Sequence, residues 1–182
     1  MERIKLFFAL LFQWKYKTND SELRKGQIII THEFGDQRTL SAATRQIVNV
    51  GTTLSKQLRV PLICQFPGDQ QAFRNGVRPL LIITKNLSPN GIYLDTAEVN
   101  RQLFKECEKN DWKYVIVCTH PDHVWRAAKN IKKFGLIPLV PDLSSIYYDS
   151  HCSRFSLAYR WAFLPRELAT RLLYFLKGYL SY

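Results

Sequence analysis

The chain has 182 residues, of which 46% are hydrophobic, 13% aromatic and 23% charged. That length suits one domain with a self-sufficient core, and the apolar content excludes intrinsic disorder. Lys and Arg number 26 against 15 Asp and Glu, a formal net charge of +11, so the surface should attract anions.

The basic excess is spread over both halves of the chain. There is no basic tail, zinc-finger spacing, RNA-binding aromatic signature or basic region with heptads. Those absences make nucleic acid an unlikely partner. An anionic small molecule and an acidic membrane surface remain. Cys64, Cys107, Cys118 and Cys152 form no CxxC pair, and buried, reduced thiols are expected of them.

Ile4 to Leu11 reads IKLFFALL. The run falls short of the about 20 residues that a span requires, and no small-residue cleavage site follows it. Residues 1–25 are read as an N-terminal amphipathic segment before an α/β domain over 26–182. The segment is expected to pack on the domain, since exposed apolar patches are rare. The alternative is an interfacial foot with Trp14, Lys15 and Lys17 at the headgroups. A cytoplasmic chain, with peripheral membrane contact as the alternative, is the matching location.

GQIIITHEF (26–34) is a buried strand, and Gly35 ends it. A helical pattern runs from about Thr39 to Leu58. Residues 60–66 are a second strand stopped by Pro67-Gly68, and 80–84 a third. Asp95 to Lys109 is a helix, 113–119 a fourth strand, Pro121 to Phe134 a helix and 136–140 a fifth strand. Residues 142–160 are ambiguous, and Pro165 to Leu180 form a last helix. Strands apolar on both faces, alternating with helices, predict a three-layer Rossmann-like α/β fold with a mainly parallel sheet. Ligands of such sheets bind beyond the carboxyl ends of the strands. The loops at 33–39, 66–77, 85–96, 119–126 and 141–151 are therefore the place for chemistry.

The densest polar cluster there is CTHPDHVWRAA, residues 118–128. His123 and Arg126 share a helix face. Together with a helix N-terminus they suit an anion, since Arg offers a planar fork and the helix free N–H groups. His123 is the best acid/base candidate because its ordinary pKa lies near neutrality. His120 and Asp122 are first-turn candidates, and His32 and Glu33 end the first strand at the same edge. Asp95-x-x-Glu98 has the shape of a capping box, which gives Glu98 a structural role beside a catalytic one. Thr119 suits the cap of the following helix. The run Cys118-x-His120-x-Asp122-His123 resembles the H-x-H-x-D-H zinc motif of metallo-β-lactamase-like hydrolases. The strand order is wrong for that fold, and His151 is the only histidine that follows. No metal site is therefore assigned, and metal-dependent hydrolysis stands as a third reading.

The last helix carries Leu164, Leu168, Leu172, Phe175, Leu176 and Tyr179 at helical spacing, punctuated by Arg166, Arg171 and Lys177. Docking of that stripe on the sheet is expected. Membrane contact is the alternative.

One whole-chain pattern stands out. A first strand and glycine loop precede a helix carrying Arg45. A second strand ends near Gly68, and Gly76-Val77 precede the third. Asp95-Thr96-Ala97-Glu98-Val99 and His123-Val124-Trp125-Arg126-Ala127 then follow in order. This order over residues 26–180 resembles the YdcF/SanA/ElyC-like family, the domain-of-unknown-function family numbered 218. The His-x-x-Arg-Ala element is its most specific part. Asp95 and Val99 replace the family's Asn residues, and Phe66-Pro67-Gly68 replaces its Ser-Gly-Gly segment, so the chain reads as a divergent member. The resemblance implies a Rossmann-like fold, a link to bacterial envelope integrity and lipid-carrier metabolism, and S-adenosylmethionine as a ligand in one branch.

The expectation is a site that binds an anionic or nucleotide-like small molecule. S-adenosylmethionine and a phosphate-containing envelope precursor are the ligands considered, with transferase or hydrolase chemistry. His123 and Glu98 are its catalytic candidates, and Arg126, Thr96, Asp95, His120, Gly35 and Arg45 its ligand contacts. A non-catalytic membrane-surface or envelope-associated factor is the alternative.

Overall fold

The computed structural model describes residues 13, 16–35, 40–84, 95–152 and 154–180. A short helix α1 (Asp20–Leu23) leads into β1 (Ile28–Thr31). Then come α2 (Ala42–Leu58), β2 (Leu62–Gln65), α3 (Gly68–Arg74) and β3 (Leu81–Ile83). The second half runs α4 (Thr96–Lys109), β4 (Tyr114–Cys118), α5 (Val124–Lys133) and β5 (Ile137–Leu139). It ends with α6 (Phe155–Ala158) and α7 (Arg160–Leu176).

The five strands form one parallel sheet in the order β3-β2-β1-β4-β5. Ile28, Ile29 and Ile30 of central β1 are fully buried, as a strand covered on both faces requires. Ile29 lies between Leu62 of β2 and Ile116 of β4. Helix α2 packs on β1 and β2, and α5 on β4 and β5, with α3 and α4 beside them. This is the three-layer Rossmann-like α/β fold read from the alternation. The strand order reverses between β1 and β4, and a crevice opens there beyond the carboxyl ends.

Several boundaries differ from the sequence reading. The helix expected from Pro121 begins at Val124, because residues 120–123 form a tight turn. The His120 carbonyl there accepts from the N–H groups of His123 and Val124 at 2.9 and 3.1 Å. Thr119 therefore does not cap it; its fully buried hydroxyl meets no hydrogen-bond partner among the described residues. Helix α3 was read as loop, since Pro67-Gly68 signals a stop more strongly than a seven-residue helix signals itself. The last helix starts at Arg160 rather than Pro165, and Pro165 lies inside it.

The boundary drawn at residue 25 is not one in the fold. Thr18 and Val140 exchange two hydrogen bonds of 2.8 Å, and Leu23 is in the core. Ile4–Leu11, Trp14 and Lys15 lie outside the described residues, while Lys17 pairs with Asp142 at 2.9 Å. All four cysteines are free, and three are buried. Among the described residues no helix is long and apolar enough to cross a membrane.

Helix α2 crosses β1 at Gly51, where a Cβ would lie 2.5 Å from Thr31 Cγ2. A helical Gly→Ala exchange ordinarily gains about 1 kcal/mol. At Gly51 the methyl group instead forces helix and strand apart. Gly51→Ala is expected to cost about 1–3 kcal/mol, seen as a lower midpoint in urea unfolding.

Candidate functional site

A cavity of about 240 Å³ occupies the crevice. The chain after β1 supplies its first wall, with His32, Glu33 and Gly35. Gln65 at the end of β2 fixes this wall, its Oε1 accepting the Glu33 N–H at 3.1 Å. The start of α4 supplies the second wall. Asp95 caps that helix, accepting the Glu98 N–H at 2.8 Å, as the capping signature predicts. Thr96, the first helical residue, is thereby turned to the cavity. His123 and Arg126 form the third wall, and α7 closes the site with Phe163, Arg166, Glu167 and Tyr174.

The floor is an ionic cluster centred on Glu167, which is 1% exposed. Arg126 donates to it from Nε at 3.0 Å and from Nη2 at 3.0 Å. Arg171, one turn along α7, donates from Nε at 3.2 Å. The Arg126 guanidinium also lies 4.9 Å from the centre of the Tyr174 ring. Arg126 Nη1 donates to Thr96 Oγ1 at 3.1 Å. His123 bridges the set, with Nε2 at 3.1 Å from Thr96 Oγ1 and Nδ1 at 3.0 Å from Arg126 Nη2.

His123 Nδ1 lies 3.0 Å from Arg126 Nη2 and 3.3 Å from Glu167 Oε2. A guanidinium nitrogen only donates and a carboxylate only accepts. With the ring proton on Nε2, Nδ1 accepts from Arg126; with the proton on Nδ1, it donates to Glu167. Thr96 Oγ1 accepts from Arg126 Nη1 in both cases. In the first it also accepts from Nε2, which leaves its O–H to the cavity, and in the second its O–H donates to Nε2. Burial first, then the neighbouring Arg126 charge, lower the His123 pKa and keep the ring neutral.

Burial alone would raise the Glu167 pKa, but Arg126 and His123 hold it at about 2. With two guanidinium groups, one carboxylate and a neutral imidazole, the cluster carries one net positive charge. His32, lowered to about 3 by burial and by the cations nearby, adds a neutral ring to the opposite wall.

Thr96, Asp95, His123, Arg126 and Gly35 thus line one cavity, with His32 and Glu33 beside them. Three other candidates do not. Glu98 is buried away from the cavity and is held by Arg101 at 2.5 Å and Gln102 at 2.9 Å. That pairing explains a buried carboxylate structurally and removes the case for Glu98 as a base. Arg45 is exposed on α2 and donates to the Leu40 carbonyl at 3.2 Å. His120 is stacked on Phe34 at 4.1 Å between ring centres and packs against Tyr148 at 4.2 Å, so it belongs to an aromatic cluster.

The zinc reading fails on the same geometry. Cys118 is buried in β4, and His120 is held among aromatic rings. Asp122 accepts from Tyr148 at 2.8 Å and from Arg160 at 3.0 Å. His123 is engaged as described, so the four side chains serve different partners. No group of three metal-ligating side chains occurs among the described residues.

Sequence reasoning missed Glu167, Arg171 and Tyr174. One signal was present. Glu167 is the only carboxylate side chain between His151 and Tyr182, a stretch with four arginines.

Glu167→Ala leaves two guanidinium groups facing each other in the interior. A loss of about 3–5 kcal/mol is expected, measured by denaturant unfolding. The buried histidines set the acid limb of stability. His32 and His120 titrate at about 3 and about 4 in the fold and near 6.5 when unfolded. Below pH 6.5 the unfolded chain takes up protons that the native state refuses, so stability falls as pH falls toward 4. Each histidine adds a slope of about 1.4 kcal/mol per pH unit. Unfolding curves between pH 7 and 4 test this, and a flat profile contradicts it.

No protein-family model, curated protein or solved structure matches the chain.

Proposed function

We propose that this chain is a divergent relative of the YdcF/SanA/ElyC-like family that binds a small nucleotide-like anion at the carboxyl ends of its strands. The observation that carries the reading is the convergence of Thr96, His123 and Arg126 on one cavity. The residues that bear the family resemblance come from chain positions 27 and 30 apart, and they meet where such folds bind ligands.

The walls suit a ligand of two characters. Thr96 O–H, the remaining Nη1–H of Arg126 and the exposed guanidinium of Arg166 are donors for a carboxylate or phosphate. Glu33 brings a carboxylate to the wall after β1, and Asp95 one beside Thr96 at the start of α4, where hydroxyl or amino groups of the ligand find acceptors. S-adenosylmethionine, nucleotides and phosphate-bearing precursors all carry both kinds of group. The chemistry proposed at this site is transfer or hydrolysis. His123 takes part through Thr96, because its Nδ1 is enclosed by Arg126 and Glu167.

A thermal-shift panel of S-adenosylmethionine, ADP, a sugar nucleotide and a short prenyl phosphate tests the proposal. A compound that binds only the native state at 100 times its Kd adds about 2.7 kcal/mol. At least one compound is expected to raise the melting temperature of the wild type. Arg166→Ala, which leaves the ionic cluster intact, and Thr96→Val, which keeps the Glu167 ion pairs but removes the hydroxyl that meets Arg126 and His123, are each expected to weaken its binding about tenfold, the value of one hydrogen bond to a charged group. No shift with any compound, or a shift indifferent to both variants, overturns the proposal.

A further inference from the structure

Helix α7 is folded with its charges inward. Its buried residues are Phe163, Glu167, Arg171 and Tyr174. The leucine stripe expected to dock does so only in part: Leu168 and Phe175 pack against the core, but Leu172 is 41% and Leu176 72% exposed, and Trp161 is 66% exposed. At 3.6 residues per turn, Trp161, Pro165, Leu168, Ala169, Leu172 and Leu176 fall within about 100° of one another. That arc lies opposite the buried one and holds no polar side chain.

The apolar arc has a boundary of a particular kind. Phe155, Tyr159 and Trp161 form an exposed aromatic group with ring centres 5.1–6.2 Å apart at one end. Arg166 and Lys177 on one flank are exposed cations, while Arg160 at the start of the helix is paired with Asp122 at 3.0 Å. The segment's one carboxylate, Glu167, is buried in the ionic cluster.

We infer that this face docks on an anionic lipid surface, with the helix lying in the plane of the interface. Apolar side chains flanked by cations and aromatic rings are what an interfacial helix presents, and each basic residue near an acidic leaflet adds about 1 kcal/mol. A second copy is the poorer occupant. A twofold contact sets the same patch against itself, which here brings the cations Arg166 and Lys177 of both copies to one interface with no exposed carboxylate on the helix to pair them. The inference is independent of the ligand proposed for the cavity.

The test is co-sedimentation of the full chain with vesicles of phosphatidylcholine alone or with added phosphatidylglycerol, at low and high salt, alongside tryptophan emission. The wild type is expected to bind the phosphatidylglycerol vesicles, to shift its emission to the blue, and to release in high salt as charges are screened. Trp161→Ser combined with Leu176→Ser, both at exposed positions, is expected to lower binding at least tenfold and abolish the blue shift. Its circular dichroism and melting temperature are expected to stay unchanged. Absence of wild-type binding overturns the inference. So does unchanged binding of the double variant, which would assign attachment to residues 1–12 or to general charge. A wild-type dimer in sedimentation equilibrium that the double variant dissolves overturns it in favour of a second copy.

Discussion

The site depends on one buried carboxylate. Glu167 takes hydrogen bonds from Arg126 on α5 and Arg171 on α7, and both guanidinium groups are buried. Removing any member leaves an uncompensated interior charge. The cluster ties α7 to α5 and holds Arg126 in one orientation. His123 Nδ1 lies against both Arg126 and Glu167, and its Nε2 meets the Thr96 hydroxyl. A chain of hydrogen bonds therefore runs from the interior of α7 to the cavity wall. A hydrophobic pair at 126 and 167 could pack as stably, but it would orient nothing.

The sheet topology supplies the space that this cluster fills. With β1 at the centre, the loops after β1 and β4 diverge to opposite faces and leave a crevice between them. Donors gather on the side of α4 and α5, and the carboxylate of Glu33 stands at the end of β1. In the proposed site that separation gives a bound molecule a direction, with its anionic end toward Arg126 and Arg166 and its hydroxyl groups toward Glu33.

Helix α7 serves two sides. Its inner arc completes the cavity through Glu167 and Tyr174, and its outer arc is apolar with cations at one flank. Leu173 and Arg166 line the cavity next to that outer arc, so the mouth of the crevice and the proposed lipid-facing surface are neighbours on one helix. Placing the polar residues inside is what leaves Leu172 and Leu176 outside: the helix has too few positions to bury both.

The layer architecture, the five strands and the edge that carries the site were legible in the sequence, because runs such as Ile28-Ile29-Ile30 can only be covered on both faces. His123 and Arg126 were legible for a local reason, since three-residue spacing on a helix brings side chains together wherever the helix lies. The cap of α4 was legible too, being a contact three residues long. What lay beyond local rules was decided in three dimensions. Glu98 reads as a catalytic carboxylate until its Arg101 and Gln102 partners are seen. His120 reads as a site residue until Phe34 and Tyr148 enclose it. The leucine stripe of α7 reads as core by its periodicity, yet only Leu168 and Phe175 of it pack inward, beside the ion cluster, and Leu172 and Leu176 stay exposed. Glu167 must face Arg126, a residue 41 positions away, and that requirement rotates the helix. Periodicity reports only the free energy of burying apolar surface. Which face of a helix is buried also depends on a partner's charge, and only the tertiary fold brings that partner into reach.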